Sequence, residues 1–293
     1  MRKPSQRVFT VLLIAGLLTS SAAAQIKWLH PQLENGVSIE AFKSDFSPEM
    51  NPTALSSVLF INGQFRIASN LALLGDFPLA SARYDFWTTT APLGGIQNVR
   101  SYNGQTTFGN PYLGLEWSKK RNGLYGRVGF RPPVVSAADS VAWTYGVVTS
   151  FDRAEAFMPN TWTFSTEWGY RSGTDSPKIR LEAGAAPAFL VDHGLSTIVD
   201  FHLLIGPQAR HLGLLTGFTG KIFLSSSDLG YPTTSYYEFN LAGNIRVDNV
   251  DFGPFVRIPM GHNWSALTNY SYGLSLAVSF APLAPTPPDD WLH

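Results

Sequence analysis

A set of ionisable side chains recurs at alternate positions along otherwise apolar stretches of this 293-residue chain. The set is Glu116, Arg127, Arg131, Glu167, Arg171, Arg180, Glu182, Asp200, His202, Lys221, Glu238 and Arg257. Both signs occur, in neighbouring stretches. Two readings of such a set are open. Around a water-filled passage it is a mixed-charge wall that sorts solutes. In a narrow, filled interior it is a salt-bridge network, which costs less than the same charges buried singly. Two local pairs suggest other chemistry. Asp200 and His202 share one parity and fit either a structural contact or a ligand pair. His262 with Ser265 offers a base and a hydroxyl, the groups a lipid-acting enzyme would use. A general base also needs an orienting partner in reach, and none is legible. The histidines (His30, His193, His202, His211, His262 and His293) show no metal-ligand spacing such as H-E-x-x-H. No G-x-S-x-G motif occurs. No catalytic residue, cofactor ligand or metal ligand is therefore assigned.

The elements that would position this set are strands. Between Tyr112 and Arg131 the residues Leu113, Leu115 and Trp117 fall on one parity, and Tyr112, Gly114 and Glu116 on the other. A charged turn, Lys119 to Gly123, follows. Alternation then resumes, with Leu124, Val128 and Phe130 opposed to Tyr125, Arg127 and Arg131. Successive side chains of a strand point to opposite faces, so this is a hairpin with one apolar and one charged face. The same rhythm returns in Gly36–Phe42, Ser57–Ile67, Leu71–Leu79 and repeatedly from Trp162 to Phe280, giving about 12 strands. Residues 80–110 read as a long irregular loop. Residues 137–157 change period: Val141, Tyr145, Val148 and Phe151 follow a helical spacing, which predicts a short helix.

Composition narrows the solvent that each face sees. The chain has no cysteine, which excludes a disulfide scaffold and thiolate metal sites. Its 21 acidic and 21 basic residues cancel, whereas nucleic-acid-binding domains carry a basic excess. Charged residues make up 14% and aromatics 13%, with eight Trp. The N-terminus runs from Arg2, Lys3 and Arg7 through an apolar stretch to Ser21-Ala22-Ala23-Ala24, the layout of a secretory signal peptide covering 1–24. Residues 25–35 read as a linker, 36–280 as one barrel domain and 281–293 as a Pro-rich tail. A secreted, aromatic-rich chain without a long apolar helix can span a membrane only as a closed β-barrel.

Connection lengths test that idea. In chain order they fall at 45–56, 68–70, 80–110, 119–123, 133–160, 172–177, 188–195, 207–211, 224–233, 246–249 and 259–269. They alternate long and short, as barrel loops and turns do. The competing fold is a secreted β-sandwich, whose strands also alternate. The aromatic outer parity (Trp117, Trp162, Trp168, Tyr237, Tyr272) favours the barrel, because interface girdles need such residues. The short helix would lie in the third long loop or fold back into the barrel mouth.

Two stretches carry a resemblance. One is Gly109-Asn110-Pro111-Tyr112-Leu113-Gly114-Leu115-Glu116-Trp117 with the following Leu124 to Pro132. The other is Leu71 to Leu79, ending in Phe77-Pro78-Leu79. In both, the chain resembles outer-membrane barrels grouped with a protein of the meta-pathway of phenol degradation, over residues 57–134. The resemblance implies a transporter-like barrel and no catalytic residues. The chain departs from many barrels at its end, which reads Trp291-Leu292-His293, with Phe280 the better last strand residue. The expectation is an all-β, antiparallel up-and-down transmembrane β-barrel in the cell outer membrane. Its partners are outer-membrane lipid and a small solute, hydrophobic or aromatic in character, with no nucleic acid and no cofactor. Two other readings stay open: a non-conducting barrel whose outer loops bind a partner, and a lipid-acting barrel enzyme.

Overall fold

The computed structural model describes residues 35–47, 55–90, 97–118, 123–172, 178–191, 195–209, 211–224, 235–261 and 265–280. The signal peptide at 1–24, the linker up to 34, the turn Lys119–Asn122, His262 and the tail 281–293 lie outside them. The strands are β1 (Asn35–Phe46), β2 (Leu55–Ala68), β3 (Leu71–Thr90), β4 (Gln97–Phe108), β5 (Tyr112–Ser118), β6 (Gly123–Arg131), β7 (Trp162–Ser172), β8 (Lys178–Val191), β9 (Leu195–Gln208), β10 (Leu212–Phe223), β11 (Ser235–Val247), β12 (Val250–Met260) and β13 (Thr268–Ser279). Each pairs antiparallel with its sequence neighbour, apart from the arrangement around β4. β1 pairs with both β2 and β13, with Ile39 opposite Ile61 on one side and Leu276 on the other, which closes the cylinder. The result is a closed 12-strand up-and-down barrel with one extra strand.

The extra strand corrects the sequence reading of 80–110 as irregular. β3 runs on to Thr90 and pairs along Leu79–Thr90 with β4. The lower part of β3, Leu71–Asp76, pairs with β5. β4 and β5 thus follow one another along the same partner, separated by Gly109–Pro111. The stretch is rich in Thr, Asn and Gly and lacks apolar alternation, so parity gave no strand signal there. β1 likewise reaches Phe46, beyond the predicted Phe42.

The parity reading of the walls holds throughout. In β5 the side chains alternate without a break, Tyr112 1% exposed and Leu113 42%. Trp117, Trp162, Trp168, Tyr237 and Tyr272 all point outward and are exposed. An outer surface of this kind is stable against hydrocarbon and poorly suited to water. Among the described residues no helix is long and apolar enough to cross a membrane.

The interior is filled by the segment between β6 and β7. It forms helix α1 (Ser140–Thr149) and a 3-10 helix (Phe151–Ala156), matching the helix expected at 137–157. The segment folds inward and touches the wall on several sides. Phe151 packs on Tyr236 of β11 and Phe223 of β10, and Phe157 on Phe60 of β2. Phe151 and Phe157 are 2% and 0% exposed, and each such burial contributes roughly 1.5–3 kcal/mol. α1 is surrounded on more than one side, so Val147 is buried although it lies off the predicted stripe. Its ends are satisfied without a side-chain N-cap. Gln105 of β4 accepts from the Val141 and Ala142 amides, and the Ser150 hydroxyl donates to the Gly146 carbonyl.

Candidate functional site

Every ionisable residue of the predicted set faces the interior and is buried. They fall into two layers. One lies toward the short-turn ends of the strands. There the register sets Glu116 beside Arg127 and Arg127 beside Glu167. Arg127 uses both edges of its guanidinium: Nε reaches Glu116 at 2.6 Å and Nη1 reaches Glu167 at 2.6 Å. Arg171 joins Glu116 at 3.1 Å. The Tyr125 hydroxyl donates to Glu167 at 2.5 Å, and its ring lies beneath Arg171 and Arg127, 4.0 and 4.7 Å from their guanidinium carbons. Arg180 pairs with Glu182 at 2.8 Å, and the His202 ring approaches Glu182 at 3.9 Å. Alternating signs and shared hydrogen bonds are what make such a buried cluster tolerable.

Gly169 lets this layer close. The Tyr125 ring lies across the β7 backbone at that residue, and a Cβ there would overlap it. Gly129 accepts the Tyr112 ring in the same way. Aromatic rings laid over neighbouring glycines thus form the inner wall beneath the arginines.

The second layer joins wall to plug, the inward-folded segment 132–161. Its run Asp152-Arg153-Ala154-Glu155 is buried throughout. Arg153 pairs with Glu40 of β1 at 2.7 Å, Asp152 with Arg257 of β12 at 2.8 Å, and Glu155 with Lys221 of β10 at 2.6 Å. Lys221 also meets Asp200 at 3.2 Å. Burial opposes the Arg153 charge, but the Glu40 and Asp152 carboxylates more than offset it, so this guanidinium holds its proton more firmly than usual. Glu238 accepts from Tyr236 at 2.6 Å and Thr219 at 2.7 Å. Arg131 pairs with Asp76 of β3 at 2.7 Å and donates to the Asn110 carbonyl.

Asn110 staples the plug at both ends. Its side-chain amide donates to the Glu155 and Met158 carbonyls, and its oxygen accepts from the Val134 and Val135 amides. Its backbone amide donates to Ala156. Ser56 and Thr149 add a hydroxyl contact at 2.6 Å between β2 and α1.

The structure therefore separates Asp200 from His202 by partner: the first serves Lys221, the second faces Glu182 and Tyr125. Sequence reasoning missed Glu40 and Asp76. Both sit on the inner parity of predicted strands, and that signal was available. It also missed Asp152, Arg153 and Glu155, because a charged triplet in a long loop reads as solvated surface. Among the described residues no group of three or more His, Cys, Asp or Glu side chains could hold a metal ion.

No protein-family model matches the chain, and no curated relative does. Solved structures do resemble it in fold. An outer membrane channel from Pseudomonas putida F1 superposes with a TM-score of 0.54 at 10% identity, over 88% of this chain and 99% of that one. LpxR from Salmonella typhimurium gives 0.47 at 10% identity, over 84% and 100%. The NanC porin gives 0.45 at 7% identity, over 84% and 100%. At these identities the likeness is one of fold: a closed outer-membrane-type barrel, matched end to end in the P. putida channel.

Proposed function

We propose that this protein is an outer-membrane channel for a small solute, closed by the inward-folded segment 132–161. One observation carries the reading. The interior is filled by a loop segment held through ion pairs and hydrogen bonds, rather than by the wall's own side chains alone. A barrel whose interior served only stability would be filled more cheaply by apolar side chains, since buried ion pairs rarely out-compete them. A loop contact is reversible, and loops draw on the less stable part of a fold.

The outer face supports residence in a lipid bilayer, and the outer-membrane channel of similar fold supports this location and class of function. The kinship with barrels of the phenol-degradation group belongs to this proposal and rests on residues 71–79 and 109–132. The solute is small, with a flat face to lie on Phe42 and Phe60 and charged or polar groups to meet the charges beside them. Catalysis is not part of the proposal.

Voltage-clamped planar bilayers test it. Purified protein should insert and show discrete, intermittent openings. Protein that inserts fully yet never conducts or passes solute would favour a partner-binding barrel and end the channel reading.

A further inference from the structure

The contact that fixes Arg153 has the composition of a ligand site. The guanidinium carbon lies 3.4 Å above the centre of the Phe60 ring and 5.7 Å from that of Phe42. Phe42 and Phe60 are themselves stacked, at 5.8 Å and 6°. Glu40 meets Nη2 at 2.7 Å. A carboxylate beside a wall of parallel rings recognises a planar organic cation, through charge-assisted hydrogen bonds at its edge and the ring quadrupole at its face.

Arg153 uses this site incompletely. Its Nη1 finds no protein hydrogen-bond partner and its Nε has only the Asp152 carboxylate, at 3.7 Å, although the whole side chain is buried. The chain bends at Arg153, which leaves helical geometry, and the tether fixes how its guanidinium can turn. A free guanidinium has no tether and can present two parallel N–H groups to one carboxylate. Arg257 also lies against Phe42, its guanidinium carbon 4.8 Å from the ring centre, paired with Asp152 of the plug. The wall therefore offers an anion and a cation around one ring, and the plug covers both with consecutive residues.

We propose that Glu40, Phe42 and Phe60 form a cation subsite of the pore that Arg153 fills as a tethered ligand. A free guanidino acid of the arginine type competes for it, with Arg257 taking the carboxylate once Asp152 has left. Its role in transport rests on the channel reading, whereas the binding itself does not.

Calorimetry on detergent-purified protein tests the subsite with methylguanidinium as probe. Arg153→Ala should bind it about tenfold or more tighter than either the wild type or the Arg153→Ala/Glu40→Gln double variant. If Arg153→Ala does not fold, Arg153→Gln, which removes the charge but keeps much of the side chain's volume, serves the same comparison. Absence of binding, or equal binding with and without the Glu40 carboxylate, overturns the subsite. Wild-type protein in planar bilayers tests the solute class. L-arginine should raise open probability several-fold, and L-citrulline, its neutral isostere, should not. An equal response to the two overturns the assignment to guanidino acids. A wild type silent in every solute, with methylguanidinium binding intact in Arg153→Ala, would remove the channel reading and leave the subsite standing.

Discussion

Arg153 of the plug and Glu40 of the wall meet at 2.7 Å, although 113 residues separate them in sequence. Both side chains are almost wholly removed from solvent. The pair therefore exists only while the segment 132–161 is inside, and it couples the position of that segment to a wall charge. Removing one member of a buried pair leaves the other uncompensated, which costs more than the pair itself contributes. The plugged state is thus sensitive to a handful of single side chains.

The first of these is Asn110, whose side chain bonds four backbone groups of the plug. Individual hydrogen bonds contribute about 1 kcal/mol each. Asn110→Ala should therefore loosen the plug by about 2–4 kcal/mol while leaving the wall ladder intact. Hydrogen exchange checks this: amides at 134–158 should exchange faster in the variant, and amides of β8 to β12 should not.

A second prediction uses the absence of cysteine. The Ser56 and Thr149 hydroxyl oxygens lie 2.6 Å apart. Cysteines at both positions bring two sulfurs within reach of a bond of about 2.05 Å. Ser56→Cys/Thr149→Cys should oxidise to a single intramolecular cross-link that silences conductance, and reduction should restore it. Since the wild type holds no other thiol, the redox response would be assignable to this bond alone.

Much of the wall was legible before any coordinates. The two-residue period forces Leu113, Leu115 and Trp117 to one face and Glu116 to the other, and both faces lie where parity places them. The predicted interior residues are all inside for the same reason. What parity could not supply was contact between distant segments. Glu40 and Asp76 show the inner parity, but nothing local marks their partners Arg153 and Arg131. Asp152, Arg153 and Glu155 sit in a segment without strand alternation, so their burial depends on which way a loop folds. The β3–β4 pairing was missed because Thr, Asn and Gly alternate nothing apolar.

A third prediction concerns the layer whose ion pairs join one wall strand to the next. Arg127 bridges Glu116 and Glu167 at 2.6 Å each. Arg127→Ala removes the guanidinium that two buried carboxylates share, leaving Glu116 to Arg171 and Glu167 to the Tyr125 hydroxyl, and should destabilise the barrel by about 3–5 kcal/mol. Urea unfolding from lipid vesicles measures it. Plug hydrogen exchange should change little, which separates this layer from the one around Arg153.

A fourth bears on the outer face. Leu241 sits midway along β11, points outward and is 43% exposed. Leu241→Arg should cost about 2–4 kcal/mol if that face meets hydrocarbon. In a protein whose exterior met water, the same change would be close to neutral. Folding equilibria in vesicles of defined thickness distinguish the two.

The most direct measurement is single-channel conductance with the plug removed. Residues 137–157 would be replaced by a short Gly/Ser linker between β6 and β7, and the variant compared with the wild type in the same bilayer. A steady open conductance in the variant, where the wild type opens only intermittently, is the predicted result. A variant that inserts and folds as a barrel yet conducts no more than the wild type would contradict the assignment of this segment as the gate.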